Sequence, residues 1–439
     1  MKKLFVILIM FLAINSNAQW VQQTNPLGTG GPASVGKIQF VSATEGWISA
    51  GNGKLLHTIN SGNNWTIVTP EPIDTLVSFS EPALSLCFIS PSTGWIISTK
   101  GSFSNMQGAV VYRTTNGGNN WNKLTVPIYN AGVYIQFVDV NNGWILVFNT
   151  NFNGGAIFRT TNGGINWNNI TPPAGGIPFF INSNAGWLIP AIGGAGTTSD
   201  SIRKTTNGGL NWTFPWGTNA RVNFTAIHFS DVNNGWALGK NGLILKTTNG
   251  GNSWDYVTNT GITSTYNSET VFFLNSNTGW IGTKDTILQT SYALYTNNGG
   301  LNWTRQTPTT GGSSIYNIHF FDALNGGLTS NDRILHTTNG GVLIKNISTE
   351  IPAAYSLSQN YPNPFNPTTK IKFDVVSTGE VKIVVYDVMG REVQTLVNES
   401  LKPGTYELKF DGSQLTSGVY FYKLITDGFT ETRKMLLIK

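Results

Sequence analysis

Residues 114–121 read TTNGGNNW, and the octapeptide returns as TTNGGINW at 160–167, TTNGGLNW at 205–212, TTNGGNSW at 247–254 and TNNGGLNW at 296–303. Two glycines followed three residues later by tryptophan set the least and the most bulky side chains almost together. This pattern describes a tight turn leading into a strand. Gly takes positive φ at no steric cost, Asn tolerates it and bonds its own backbone, and Trp buries a large apolar face. A second element precedes each turn, an apolar run closing on Gly-Trp. It occurs as IQFVSATEGW (38–47), LCFISPSTGW (86–95), IQFVDVNNGW (135–144), FFINSNAGW, IHFSDVNNGW and VFFLNSNTGW, the last three ending at Trp187, Trp236 and Trp280. A seventh copy, IHFFDALNGG, ends at Gly327. The tryptophans step by 48, 49, 43, 49 and 44 residues, and Gly327 falls 47 further on. A period in this range is one four-stranded blade of a propeller.

Each repeat resolves into strands by its alternation. The IxF run is the inner strand, GWxxx opens the second, a run ending in Thr-Thr is the third, and W-x-x-x-T-P is the fourth. TNGG is then the turn between the third and fourth strands. Twelve tryptophans serve as repeat anchors packed between blades: Trp47, Trp95, Trp144, Trp187, Trp236 and Trp280 after the glycine, and Trp65, Trp121, Trp167, Trp212, Trp254 and Trp303 after the turn. In the seventh copy, TTNGGVLI puts Ile344 where tryptophan belongs, so that blade lacks a fourth strand. The segment QWVQQTNP (19–26) matches the fourth-strand pattern of NNWTIVTP and LNWTRQTP. Residues 20–26 are therefore expected beside the strand near Ile334, with Trp20 closing the ring and leaving no open sheet edge.

Read as T-x-N-x-G-x-N-W, the octapeptide resembles the Asp-box of bacterial neuraminidase repeats, with Asn in place of Asp. The paired Gly-Trp and T-N-G-G-x-x-W elements resemble the propellers related to photosystem II assembly factors and, more distantly, to sortilin. The resemblance implies a seven-bladed β-propeller over residues 19–345, in which the octapeptide is a structural turn remote from ligand sites.

Both ends of the chain carry other signals. Residues 1–18 have a basic start, an apolar run from Leu4 to Ile14, and small residues Ser16 and Ala18. This reads as a cleavable secretory signal peptide, too short to span a bilayer. Residues 346–352 read as a linker. Beyond it YPNPFNPTT brings the motif Tyr361, Pro362, Asn363, Pro364, Phe365, Asn366 and Pro367, whose prolines force extended or turn backbone. The strand-like runs IKFDVV, VKIVVYDV, EVQTLV, GTYELKF, GVYFYKLI and RKMLLIK follow, as in a small Ig-like β-sandwich over residues 353–439. YPNPFNPTTKIKF, VVYDVMGREV, LKPGTYELKFDG, SGVYFYKL and RKMLLIK resemble the type A sorting domain of the type IX secretion system. The resemblance implies recognition of residues 353–439 by that machinery and passage through the periplasm and the Bacteroidota outer membrane. It also implies removal of the domain, and often anchoring of the cargo on surface lipopolysaccharide. The expected location is the outer cell surface or the medium.

Composition limits what the propeller does. Only 11% of the 439 residues are charged, where soluble domains usually have about 25%. Residues 20–349 hold 15 basic and 12 acidic groups, which is no field for nucleic acid. Cys87 is the only cysteine, set in the strand LCFIS as a core thiol, so no disulfide holds the fold. A sialidase needs an arginine cluster, yet the propeller has six arginines, and Arg113 and Arg159 fall in the repeated series His57, Arg113, Arg159, Lys204, Lys246, Tyr295 and His336. Such a series is spread around the ring and reads as a solvated structural position. Asp139, Asp231 and Asp322 recur in one loop as turn residues. His228 and His319 share an inner-strand position with Gln39, Gln136 and Phe272, which reads as polar packing near the channel. No catalytic residue, metal site or cofactor site is assigned.

Function should then lie where the repeat breaks, at 71–82, 98–108, 149–155, 191–201 and 282–292. Four of these five lie between second and third strands and should share one face, where a protein or glycan ligand is expected. The four hold two acids, Asp200 and Asp285. The expectation is a surface or extracellular binding module. The alternative is a glycan-active hydrolase whose carboxylates come from these insertions.

Overall fold

The computed structural model describes residues 20–439 apart from 31–33, 52, 71–84, 103–104, 127–130, 149–154, 171–175, 191–199, 219–221, 258–264, 307, 309–311, 339, 342–343 and 413–414. The chain divides into two compact units between Gly341 and Val342. The first is a seven-bladed propeller of four-stranded antiparallel sheets. Blade one runs Val35–Phe40, Gly46–Ala50, Leu55–Thr58 and Thr66–Val68 from the inside outward, and blades two to six repeat that order. Blade seven takes Asn317–Phe320, Gly326–Ser330 and Arg333–Thr337 from the end of the repeats, and its outer strand, Val21–Gln23, from the beginning. Val21 lies opposite His336, Gln22 opposite Leu335 and Gln23 opposite Ile334.

A chain of aromatic rings ties the blades together. Each Gly-Trp tryptophan stacks on the inner-strand phenylalanine of the next blade: Trp95 on Phe137 at 3.7 Å, Trp144 on Phe180 at 3.7 Å, Trp187 on Phe229 at 3.4 Å and Trp236 on Phe273 at 3.4 Å. The indole N–H of Trp95, Trp144, Trp187, Trp236 and Trp280 donates to a turn glycine carbonyl of that next blade, as from Trp144 to Gly208 at 3.0 Å. The turn tryptophans meet the phenylalanine of their own blade edge-on, as Trp167 does Phe137 at 6.1 Å and 79°. Their indole nitrogens, and that of Trp47, are buried without an acceptor among the described residues. The glycine before each Trp is also explained. A Cβ at Gly143 would sit 2.5 Å from Phe137, and one at Gly94 would sit 2.3 Å from Phe88.

The repeated turn is closed by side chains. Thr114 Oγ1 donates to Asn116 Oδ1 at 3.1 Å and accepts the N–H of Asn116 and of Gly118, while Asn116 Oδ1 also accepts the N–H of Asn120. The same network recurs at Thr58, Thr160, Thr205, Thr247 and Thr296. Positive φ is taken by Gly117 and Gly118 rather than by Asn, which holds the loop through its amide oxygen. At Gly118, with φ of 80°, an added Cβ would also lie 2.6 Å from the Trp47 indole of the preceding blade. Gly118→Val is therefore expected to lower stability by about 2–4 kcal/mol, from backbone strain and a collision together. A denaturant melt checks this, and a wild-type midpoint would contradict the assignment.

The second unit is a β-sandwich. One sheet orders Ile344–Ser348, Gly404–Asp411, Thr368–Val375 and Ser356–Leu357, and the other Glu392–Leu401, Gly379–Tyr386, Gly418–Thr426 and Phe429–Leu437. Alternating residues such as Phe373, Ile383, Tyr406, Leu424 and Met435 fill the space between them. This corrects the expected linker at 346–352 and the propeller boundary at 345. Ile344 is a buried sandwich residue, and its strand pairs with Gly404–Asp411. In the YPNPFNP motif Phe365 is buried. Its N–H donates to Leu436 O, its carbonyl accepts from Ile438 N, and Asn363 Oδ1 accepts from Leu436 N. Tyr361 stays 80% exposed.

Candidate functional site: the central channel

Because the strands are antiparallel, the start of each inner strand adjoins the end of the second. Val35 faces Ala50, and Tyr266 faces Asp285. The second strands therefore end, and the third begin, around one mouth of the ring, and the octapeptide turns lie at the other. The channel encloses about 390 Å³ and is lined from all seven inner strands. Toward the loop side its wall includes Lys37, Tyr134, Thr225, Glu269 and Tyr316.

The polar residues of the inner position bridge blades. Each inner strand has one free edge, whose backbone groups need partners. Gln39 donates to Phe88 O at 2.8 Å and accepts from Phe88 N at 2.9 Å, and Gln136 grips Phe180 in the same way. The Cys87 sulfur accepts from Phe137 N at 3.2 Å. His228 Nδ1 accepts from Phe273 N at 3.3 Å, and His319 Nδ1 from Phe40 N at 3.2 Å. Burial pushes the Cys87 thiol up. The Lys37 ammonium, 5.5 Å from the centroid of the Tyr134 ring, is pushed down by burial.

The series His57 to His336 is a structural position, but it is packed on indoles rather than solvated. His57 stacks on Trp47 at 3.9 Å, Arg113 lies 5.2 Å from the Trp95 ring, Arg159 5.8 Å from Trp144, and Lys246 5.6 Å from Trp236. Arg159 also donates to Asn207 O and Ser183 O, so the cation clamps the turn of the next blade. In blade seven Gly327 replaces the tryptophan. A Cβ there would lie 2.6 Å from Ile38, and the facing His336 is buried against Gly62 of blade one.

The acids are occupied by turns. Asp139 accepts from the N–H groups of Asn141 and Asn142, and Asp231 and Asp322 do the same in their blades. Burial raises Asp139, but these bonds outweigh it and hold the carboxyl below its ordinary value. Asp285, 5% exposed, accepts from Ile287 N and Leu288 N. Asp200 begins the strand Asp200–Thr205, and its side chain lies outside the described residues, as do 71–82, 149–154 and 191–199. Among the described residues no three of His, Cys, Asp and Glu come together as a metal would require.

His228, His319 and His336 are kept neutral by burial, with pKa values lowered to about 4, about 3 and about 4. The unfolded chain takes up these protons near pH 6.5, and the folded chain only near pH 3–4. Between those limits the unfolded state binds more protons, so stability is full above about pH 6.5 and falls as the pH drops toward 4. At pH 5 the loss is expected to be on the order of 1–2 kcal/mol per histidine. Denaturant melts at pH 5.0 and 7.5 check this, and equal midpoints would contradict it.

Residues 359–439 match the secretion system C-terminal sorting domain, in keeping with a type IX secretion tail. No curated protein sequence matches the chain. The solved structure of YCF48 bound to D1 peptide aligns with a TM-score of 0.54 at 17% identity, over 73% of this chain and 94% of that one. YCF48 from Cyanidioschyzon merolae aligns with a TM-score of 0.53 at 18% identity, over 72% and 98%. At these identities the likeness shows the fold. The model of photosynthesis system II assembly factor YCF48 matches residues 15–190, 177–313 and 215–350, and the chain belongs to that family.

Proposed function

We propose that the chain is an exported binding protein whose ligand enters the propeller channel from the loop side. The observation that carries this reading is positional. The mouth where the second strands end, from which the segments that break the repeat leave the blades, is also the mouth near Lys37, Tyr134, Glu269 and Tyr316. The opposite end is made of near-identical turns whose polar groups are used internally. A rigid ring bearing variable loops over a lined cavity is a common ground plan for a ligand site. The solved YCF48 complex holds a peptide. A peptide is therefore a ligand class to test here beside a glycan. The sorting domain supports delivery to the cell surface or the medium, with attachment to lipopolysaccharide as the form such cargo often takes.

The hydrolase alternative needs a pair of carboxyl groups, and among the described residues the channel offers one. Asp285 is committed to its own turn, and the acid lining the channel, Glu269, has its carboxyl raised by burial with Lys240 opposing. The full chain applied to glycan and peptide arrays is expected to retain one ligand class without turning it over. Sustained polysaccharide hydrolysis lost in Asp200→Asn or Asp285→Asn would overturn the reading.

A further inference from the structure

The channel presents hydrogen-bond donors on Lys37, His228 and His319 for which the described residues supply no acceptor. His228 and His319 each accept a backbone N–H at Nδ1, which puts the proton of the neutral ring on Nε2. Among the described residues no acceptor meets either Nε2. Both imidazoles line the cavity, with Phe272 between them at centroid distances of 5.2 and 4.7 Å, and Phe179 lies 5.1 Å beyond His228. Lys37 supplies a third donor, and its ammonium, disfavoured by burial, is the charge that a bound carboxylate would stabilise. It has no carboxylate partner among the described residues, and the groups that sense its charge are Cys87 and His319. Glu269 is set against Lys240 instead. Gln39, Cys87 and Gln136, by contrast, are used by the backbone of the next blade.

One half-buried ammonium, two neutral N–H donors and an aromatic wall define a ligand chemistry. A singly charged planar acceptor matches the donors, and an apolar body matches Phe179 and Phe272. A dianion such as phosphate would want more than one cation, and among the described residues no arginine lines the cavity. Resting on the reading of the channel as the ligand site, the geometry points to a monocarboxylate with a compact aromatic or aliphatic body. Its carboxylate lies on Lys37 with His228 and His319 donating, and its body lies against the phenylalanines. A cavity of about 390 Å³ accepts a body of one ring.

Calorimetric titration of the full chain at pH 7.5 tests this with phenylacetate, phenylacetamide, glucuronate and inorganic phosphate. Phenylacetate binds at least tenfold more tightly than its uncharged amide, than the equally charged but polar glucuronate, and than phosphate. Lys37→Met weakens phenylacetate at least tenfold while Lys37→Arg keeps it within a few-fold. Equal binding of acid and amide by the unaltered chain, which needs no variant, overturns the proposal, and so does tighter binding of glucuronate or phosphate. If an array ligand binds and Lys37→Met leaves it unchanged while phenylacetate does not bind, the carboxylate site falls and the binding-protein reading stands. If neither the arrays nor phenylacetate gives binding, both fall.

Discussion

A chain lacking residues 20–27 is expected to lose its cooperative melting transition and to aggregate. Three strands of blade seven would remain, and Arg333–Thr337 would become an open edge carrying Ile334 and Leu335, both fully buried in the intact ring. Trp20 goes with the deletion. It is 2% exposed, meets Phe320 edge-on at 5.7 Å, and donates to Gln306 Oε1 at 2.9 Å. Gln306 in turn donates to Gly340 O, so the turn of blade seven loses its support as well. Size exclusion and thermal melting measure the outcome. A monomeric deletion variant melting with the intact protein would mean that the ring closes by other contacts.

The second large effect belongs to the aromatic chain. Trp144→Ala should cost about 3–5 kcal/mol, the range for truncating a buried tryptophan. Trp144 is fully buried, stacked 6° from parallel on Phe180, bonded to Gly208 O, and covered by Arg159 on its own blade. Phenylalanine substitutions separate packing from hydrogen bonding. Trp144→Phe leaves Gly208 O without its donor, whereas Trp167→Phe removes an N–H that has no acceptor among the described residues. Trp167→Phe should therefore cost clearly less. Equal losses in denaturant melts would mean that the indole bond to the next blade contributes nothing.

The ring was legible because its instructions are local and repeated. A Thr-x-Asn-Gly-Gly turn and a Gly-Trp strand start recur every 43–49 residues, and QWVQQTNP carries the outer-strand pattern at the wrong end of the chain. What stayed hidden depends on neighbours that spacing cannot name. The glycine of Gly-Trp is required by a phenylalanine across the strand pair, and His57, Arg113 and Arg159 cover indoles that sequence places ten or more residues away. Ile344 read as a failed repeat because it stands at the tryptophan position, yet Ile344–Ser348 pairs with a strand some sixty residues later. The channel was the least legible part. Lys37, His228 and His319 belong to different blades, and each looks like one variable letter of a repeated inner strand until the ring brings them to one channel.

Hydrogen exchange with and without an array-selected ligand tests the central claim most directly, that the repeats are scaffold and the channel is the site. Protection is expected in the inner strands Val35–Phe40, Ala131–Phe137, Phe224–Phe229, Tyr266–Phe273 and Asn317–Phe320 and in the loops at their mouth, with the octapeptide turns unchanged. Protection confined to the turns at 114–121, 160–167 and 205–212 would contradict it.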